Sequence, residues 1–534
     1  MKKRNIFYSV AVVAMSFSLG ACDDFLDKMP DNRATMDSDA KITSLLVSAY
    51  PTTNYALLGE MFSDNTDCNG LPNYSAYNKL QEQAALWEDI TEKEEDSPYN
   101  LWNSCYMAIA AANQALEAIE TLGLSEELKG QRGEALMCRA YAHWVLVNIF
   151  CKNYSPKTST TDLGIPYVRK PETVVSYAYE RGTVADVYRE IEVDLQEALP
   201  LMNDAHLNVP KYHFNKKAAY AFACRFYLFY VKEDKSNYDK VIEYAQEVLG
   251  DTPAAMLRDW KTVGGKAING GVRAMAFVDV AENANLLLYS TSSIWARTYG
   301  PYGLGTRYTH NQTIGSTESC APTPWGTSSR FYFSIPQYSG LPKIIMAKMA
   351  EYFEYTDPVN GIGNCYVMYP ALTSDEVILN RAEAYVMKGQ YDKALADLNT
   401  WAKGFYRSAP EVTAEDIQAF YGVPEYDKDG QLTSGMVFYT PSEPTPKKAI
   451  HPDFVVETGK QECFVYALLH LRRILMLHEG NRWFDIKRYG IEIYRRTVLG
   501  NEITVTDEMK ADDPRHAIQL PQSVITAGIE ANPR

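Results

Sequence analysis

The chain has 534 residues and a formal charge of −15, with 67 Asp and Glu against 52 Lys and Arg. Hydrophobic residues make up 46% and charged residues 22%, a globular balance with ample chain for a large core. The acidic excess excludes a general nucleic-acid binder, which needs a basic surface to displace counterions, while 38 Tyr against 19 Phe and 8 Trp mark a chain rich in amphipathic contact residues.

Lys2, Lys3 and Arg4 form a positive start, and Ile6 to Gly20 follows uncharged and mostly apolar. That stretch is short for a bilayer span and reads as the core of a signal peptide over residues 1–21. It ends Leu19-Gly20-Ala21-Cys22. Leu, two small residues and Cys is the order a lipoprotein signal peptidase requires: the small residues fit its cleft, and the Cys thiol carries the diacylglycerol. Cys22 is the expected lipidation site, and several acyl chains on one residue give stable anchoring where a single chain does not. Asp23-Asp24-Phe25-Leu26-Asp27 comes next. An acidic stretch there favours inner-membrane retention under one sorting rule and surface export under another, and the residues alone do not choose. No later segment approaches 18 consecutive apolar residues.

Residues 40–250 are mostly helical by periodicity. Apolar residues recur at three and four in Asn100 to Leu122, Leu128 to Phe150, Val184 to Leu201 and Lys216 to Val231. Ser97-Pro98 opens the first of these as a cap followed by proline. An internal echo follows. Tyr238-Asp239-Lys240-Val241-Ile242 lines up with Tyr391-Asp392-Lys393-Ala394-Leu395, each after an aromatic-bearing helix and a polar turn. Helix, short turn, Tyr and an Ala-bearing helix is the tetratricopeptide pattern, in which stacked helix pairs bury one another's apolar faces.

Residues 255–370 are richer in Gly and Pro, and helical period is lost except near Pro342 to Tyr355. Ten aromatics fall within the fifty residues from Tyr289 to Tyr338. Loops rich in Gly, Ser and Thr cannot bury so many rings, so some are expected to line a surface or cleft. Residues 405–460 form a second irregular insertion, and helix returns from about Glu462. Cys68, Cys105, Cys138, Cys151, Cys224, Cys320, Cys365 and Cys463 show no C-x-x-C. An even count in an exported chain permits disulfides, but four of these lie in apolar helical patterns, where Cys acts as a small hydrophobe. A chain this long needs no staples, and mostly free, buried thiols are expected.

The C-terminal block Leu471-Arg472-Arg473 through His478-Glu479-Gly480-Asn481-Arg482-Trp483-Phe484-Asp485-Ile486-Lys487-Arg488-Tyr489-Gly490 is structural on its own chemistry. Arg482, Asp485 and Arg488 at i, i+3 and i+6 suit pairing along a helix; Trp483 and Phe484 suit a core, and Gly480 a close helix approach. The same block resembles the SusD/RagB family of nutrient-binding outer-membrane lipoproteins. Glu479, Gly480, Arg482, Trp483, Phe484, Asp485, Arg488 and Gly490 match its pattern, while His478 stands where that family usually has Phe. Cys22-x-Asp24-Phe25-Leu26-Asp27-x-x-Pro30, Glu376-Val377-Ile378-Leu379 through Asn399, and Leu520-Pro521-Gln522…Asn532-Pro533 match in order along the chain.

The resemblance implies a mainly α fold: a tetratricopeptide-like scaffold at about 40–250 and 370–534, with a loop-rich ligand face at about 255–370 and a few short strands, in one domain over 22–534. It implies a lipid-anchored surface protein that captures oligosaccharides, or in some members peptides. Such proteins cap a TonB-dependent (SusC-like) β-barrel transporter and deliver cargo to it, with no bond made or broken.

A sugar binder needs flat aromatic platforms for C–H faces and Asn, Asp, Arg or Gln for hydroxyls. Phe62 to Asn78 and Trp295 to Tyr338 hold that mix, and they are the regions whose loops the resemblance assigns to the ligand. Tyr74, Tyr77, Trp295, Tyr299, Tyr302, Trp325, Tyr332, Asp64 and Asn65 are the expected ligand residues. No catalytic residue, cofactor or metal is expected. Asn65-x-Asp67-x-Asn69-Gly70 and Glu425-x-Asp427-x-Asp429-Gly430 begin like calcium loops, but Ala76 and Met436 stand where the bidentate Glu belongs. A peptide-binding member, a scaffold without its own ligand and a hydrolase remain as alternatives.

Overall fold

The computed structural model describes residues 36–70, 74–172, 178–338 and 340–534. The expected signal peptide and Cys22 lie outside the described residues.

The helical scaffold starts with α1 (Asp39–Leu46), α2 (Ala56–Phe62) and α3 (Lys79–Ala85). The hairpin α4 (Pro98–Thr121) and α5 (Lys129–Phe150) follows, then α6 (Val184–Ala198), α7 (Lys216–Phe229) and α8 (Asn237–Leu249). The starts are encoded locally. Ser97 Oγ accepts from Asn100 N ahead of Pro98, and Thr183 with Asp186 forms a reciprocal capping box. From Glu134 to Phe150, α5 is buried on every side, as the central helix of a bundle must be.

The short helices α9 (Trp260–Gly264), α10 (Val272–Phe277) and α11 (Trp295–Tyr299) occupy the loop-rich region. Regular structure resumes with α12 (Ser374–Met387) and α13 (Tyr391–Phe405), then α14 (Ala414–Tyr421), α15 (Lys460–Leu475) and α16 (Arg482–Tyr489). The internal echo is a true structural repeat: α7 pairs with α8, α12 with α13, and α8 packs on α12 so that the two hairpins stack. Gly389 makes the second turn at φ +70°, a left-handed conformation that favours glycine.

Strands gather at the loop-rich side. β1 (Asp67–Asn69), β3 (Tyr308–Thr309), β8 (Ile493–Leu499) and β9 (Glu502–Met509) form one sheet in the order β3-β1-β8-β9. β2 (Asn285–Ser292), β4 (Glu351–Asp357) and β5 (Ile362–Thr373) form an antiparallel sheet in the order β2-β5-β4, with Phe353 opposite Cys365. β6 (Glu425–Tyr426) and β7 (Leu432–Ser434) make a small hairpin within the 405–460 insertion.

Two expectations change. Pro342 to Tyr355 is not a helix: Ile344 to Ala350 runs as a buried non-helical segment into β4. Lys348, fully buried there, donates to the Leu475 carbonyl and pairs with Glu479 at 2.6 Å, so tertiary contacts override the apolar period. The charges of α16 work mainly between elements rather than along the helix. Arg482 makes a two-pronged bond to Asp64 at 2.8 and 2.9 Å, Asp485 pairs with Arg472 at 3.1 Å, and Arg488 pairs with Glu383 at 2.7 Å. Arg488 to Asp485 is the long contact, at 3.8 Å. The eight cysteines described are unpaired, six buried and two, Cys68 and Cys365, half-buried.

Candidate functional site

The loop 74–78 lies against the loop 300–308, and backbone bonds fix the pair. Arg307 N donates to Ser75 O at 3.1 Å, and Asn69 N donates to Arg307 O at 2.7 Å. Gln81, on α3, extends beneath both: its amide donates to the carbonyls of Gly305 and Tyr308 at 3.0 and 2.9 Å, and its oxygen accepts from Tyr77 N. Asn69 donates to Thr306 O and Thr309 Oγ1, both at 2.8 Å.

On this frame Tyr74 and Tyr77 are half-buried and Tyr302 is 42% exposed. Arg297, at the last turn of α11, joins Tyr77 to the β2-β5-β4 sheet. Its Nη1 donates to Tyr77 Oη at 3.1 Å, its Nε to Glu351 Oε2 at 2.6 Å, and its Nη2 to Cys365 Sγ. The hydrogen bonds it donates to Glu351 and then Tyr77 push the Arg297 guanidinium above its ordinary range, so it stays charged. Strand alternation puts Phe353 and Tyr355 on the same side of β4 as Glu351. They are 44% and 58% exposed and meet edge to face at 4.8 Å. The result is a shelf of half-exposed rings around one fixed guanidinium–carboxylate pair. Phe353, Tyr355 and Glu351 are absent from the sequence-based expectation because their segment carries a helical period.

The other expected residues lie elsewhere. Trp295 is fully buried, its indole N–H donating to His478 O at 2.6 Å. Tyr299 is buried and stacks on the His478 ring at 4.5 Å. Both support α11 from beneath and present no face to solvent. Trp325 is fully buried, its indole N–H held by Asn399 of α13 at 2.7 Å. Half-buried Tyr332 is bound through its backbone to Phe405 at the end of α13, so it belongs to a different part of the scaffold.

Asp64 and Asn65 are buried in a charge cluster. Asp64 pairs with Arg482, with Lys448 at 2.7 Å and with Arg473 at 3.4 Å; Asn65 accepts from Arg473 Nε at 2.9 Å. Glu318 joins through Lys448 at 2.9 Å and Arg496 at 2.8 Å, and Arg496 also grips Asp67 at 2.8 Å. Burial opposes ionisation of Asp64, but Arg473, Arg482 and Lys448 hold it well below the usual carboxylate range. Burial opposes Glu318 likewise, and Lys448 with Arg496 brings it to about 2. Asp64 and Glu318 are therefore ionised at neutral pH and held by cations on several sides, a packing device rather than a ligand site.

Neither calcium-like spacing is a cation loop. Asp67 is engaged by arginine, and Asp427 caps its own turn by accepting from Asp429 N and Gln431 N at 2.9 and 2.8 Å. Among the described residues no group of three or more His, Cys, Asp or Glu is arranged to hold a metal ion, and no helix is long and apolar enough to cross a membrane.

The stacked helical-hairpin scaffold with its aromatic shelf on the loop side is similar to proteins described as SusD-like. Residues 24–228 match the SusD-like family described as "Starch-binding associating with outer membrane". A SusD superfamily protein from Bacteroides thetaiotaomicron VPI-5482 is 18% identical and has a TM-score of 0.60, with 94% of this chain and 100% of that one covered. A SusD superfamily protein from Bacteroides vulgatus ATCC 8482 gives 18%, 0.59, 94% and 99%. A SusD-like carbohydrate binding protein from the same strain gives 12%, 0.56, 91% and 96%. No curated protein matches the chain. The stretch 24–228 is thus similar to the SusD-like family, and the chain shares its fold with these solved structures.

Proposed function

We propose that this protein captures oligosaccharides at the cell surface through the shelf formed by Tyr74, Tyr77, Tyr302 and Phe353, and hands them to a TonB-dependent β-barrel transporter of the SusC type. Cys22 carries its lipid anchor in the outer membrane, and no covalent chemistry is performed. The observation that carries the reading is the Arg297–Glu351 pair set among half-exposed rings. Ring faces take the apolar C–H side of a sugar, while the guanidinium and carboxylate, already fixed by Tyr77 and by each other, meet hydroxyls without being ordered on binding. The description of the matched family and the carbohydrate-binding superfamily member support the same reading.

Calorimetric titration with a panel of oligosaccharides tests it. Binding by the purified protein, weakened at least tenfold in Tyr302→Ala and Phe353→Ala, is the expected result. Retained peptides in the purified protein, with no glycan binding, would replace it with a peptide-capture function.

A further inference from the structure

A groove runs between α14, the β6-β7 hairpin and the segment 316–322. It has a volume of 520 Å³, and its wall includes Ala321, Pro322, Phe420, Leu432, Met436 and Pro446. No Lys, Arg, Asp or Glu lines it, and it shares no residue with the shelf. The wall offers little to a polar guest, because all five hydroxyls in it donate to this chain. Ser316 and Thr317 donate to the Thr313 carbonyl at 3.4 and 2.7 Å, and Thr433 to the Glu425 carbonyl at 3.1 Å. Ser434 donates to the Glu425 carboxylate at 2.9 Å, and Thr445 to the Val437 carbonyl at 3.0 Å. Pro322, Pro444 and Pro446 carry no backbone N–H. A sugar entering here would exchange its bonds to water for a wall whose donors are spent, whereas an apolar guest gives up nothing.

Apolar surface continues past the groove. Leu432 stands opposite Tyr426 in the hairpin register, and both are exposed. Exposed Phe438 follows Val437 of the wall, and exposed Val423 sets its carbonyl against Gly435 of the wall. Four large apolar side chains thus reach solvent within residues 423–438, around a groove that is itself apolar. A patch of this kind, wider than one small molecule covers, marks a protein contact.

The rim sets the charge of the partner. Glu415 lies one turn before Ala419 on α14 and so shares its face, Glu425 holds Ser434 of the wall, and Glu443 precedes Pro444. All three are exposed, and among the described residues none is paired with a Lys or Arg, unlike Glu411, which Lys403 holds. The hairpin turn adds Asp427 and Asp429 against Lys428. Lys447, behind the wall, is buried and spends its ammonium on the carbonyls of Gly422 and Met436 at 2.8 and 3.2 Å. An apolar floor inside an uncompensated acidic rim complements an apolar segment with cations at its ends.

We infer that this groove docks an apolar segment of a partner protein flanked by Lys or Arg, as an interaction surface separate from the shelf. The segment's side chains fill the space between Phe420 and Leu432, and its cations meet Glu415, Glu425 and Glu443. The inference does not depend on the shelf's ligand.

Three short peptides carrying a fluorophore and a photoreactive group are the probes: a Leu, Val and Phe core between paired lysines, the same core between paired glutamates, and the paired lysines around a Gly-Ser core. Anisotropy with the purified protein reads affinity, and mass spectrometry of the photo-cross-links reads the place. The lysine-flanked apolar peptide is expected to bind, with cross-links to residues 419–437 or 444–446. Leu432→Ser, an exposed change, should weaken it about tenfold, and Glu425→Gln with Glu443→Gln about threefold. Val359→Ser, at the exposed tip of the β4-β5 hairpin, and Tyr302→Ala should leave it intact. No binding, equal binding of either other peptide, cross-links outside the groove, or indifference to Leu432→Ser would overturn the assignment. A failed oligosaccharide titration at the shelf leaves this result readable, because the cross-links of the unmodified protein report the groove directly.

Discussion

Gly59 and Gly480 face each other at a backbone crossing: a Cβ on Gly59 would fall 2.3 Å from the Gly480 carbonyl oxygen. Gly480 itself sits at φ +80°, and a Cβ there would lie 2.8 Å from Ala56 Cα. This crossing joins α2 to the turn before α16. Glu60 reinforces it by accepting from Gly480 N at 3.0 Å. Backbone against backbone cannot yield as a flexible side chain does. Gly59→Ala and Gly480→Ala are each expected to cost about 1–3 kcal/mol or more, measured by denaturant unfolding.

The charge cluster predicts an asymmetry between its members and the shelf. Arg482→Ala leaves Asp64 buried with one partner fewer and should destabilise by about 3–5 kcal/mol. Arg297→Ala removes a partly exposed side chain and should barely shift the melting temperature, yet reduce oligosaccharide affinity. Thermal melts and titrations on the same two variants check both halves.

Asp96 gives a pH prediction. It is fully buried, and burial raises its carboxyl to about 7 against bonds from Ser293 Oγ at 2.7 Å and Ile294 N at 2.8 Å. The native state therefore holds a proton that the unfolded chain, with an ordinary carboxyl, releases near pH 4. Its contribution to stability is fully present below that ordinary value and is lost as pH rises through about 7. Asp96→Asn keeps an acceptor for Ile294 N, presents an amide donor to Ser293 Oγ in place of the second oxygen, and tolerates the φ of +62°. Its stability relative to the wild-type protein should rise by about 2–4 kcal/mol between pH 4 and pH 8, read from unfolding curves across that range.

Trp325 separates packing from binding. Its ring is enclosed and held by Asn399, so Trp325→Ala should cost about 3–5 kcal/mol of stability. Affinity of the remaining folded protein for oligosaccharides should be unchanged, because the shelf lies on other loops. Titration below the variant's melting temperature decides it.

Much of the scaffold was legible because its signals are local. Helix starts at Ser97-Pro98 and Thr183, and the Tyr238 and Tyr391 hairpins, follow from capping and from the period of apolar positions. The shelf was half legible. Tyr74, Tyr77 and Tyr302 were expected from loop composition, and Arg297 lies among them. Trp295 and Trp325 share that composition, yet both are buried by partners far along the chain, His478 and Asn399, which no local pattern announces. Glu351 and Phe353 were hidden for the converse reason. Ile344 to Ala350 holds residues suited to a helix, and only the long reach of Lys348 to Leu475 and Glu479 shows why it stays extended.

The cluster of Asp64, Asp67 and Glu318 with Lys448, Arg473, Arg482 and Arg496 also makes the loop side depend on the C-terminal part of the chain. Its carboxylates precede every one of its cations in the chain. Asp64 and Glu318 find their first counter-charge only at Lys448, and Asp67 finds its own only at Arg496. Truncation before Arg496 should therefore leave helical, protease-sensitive chains rather than a smaller folded protein.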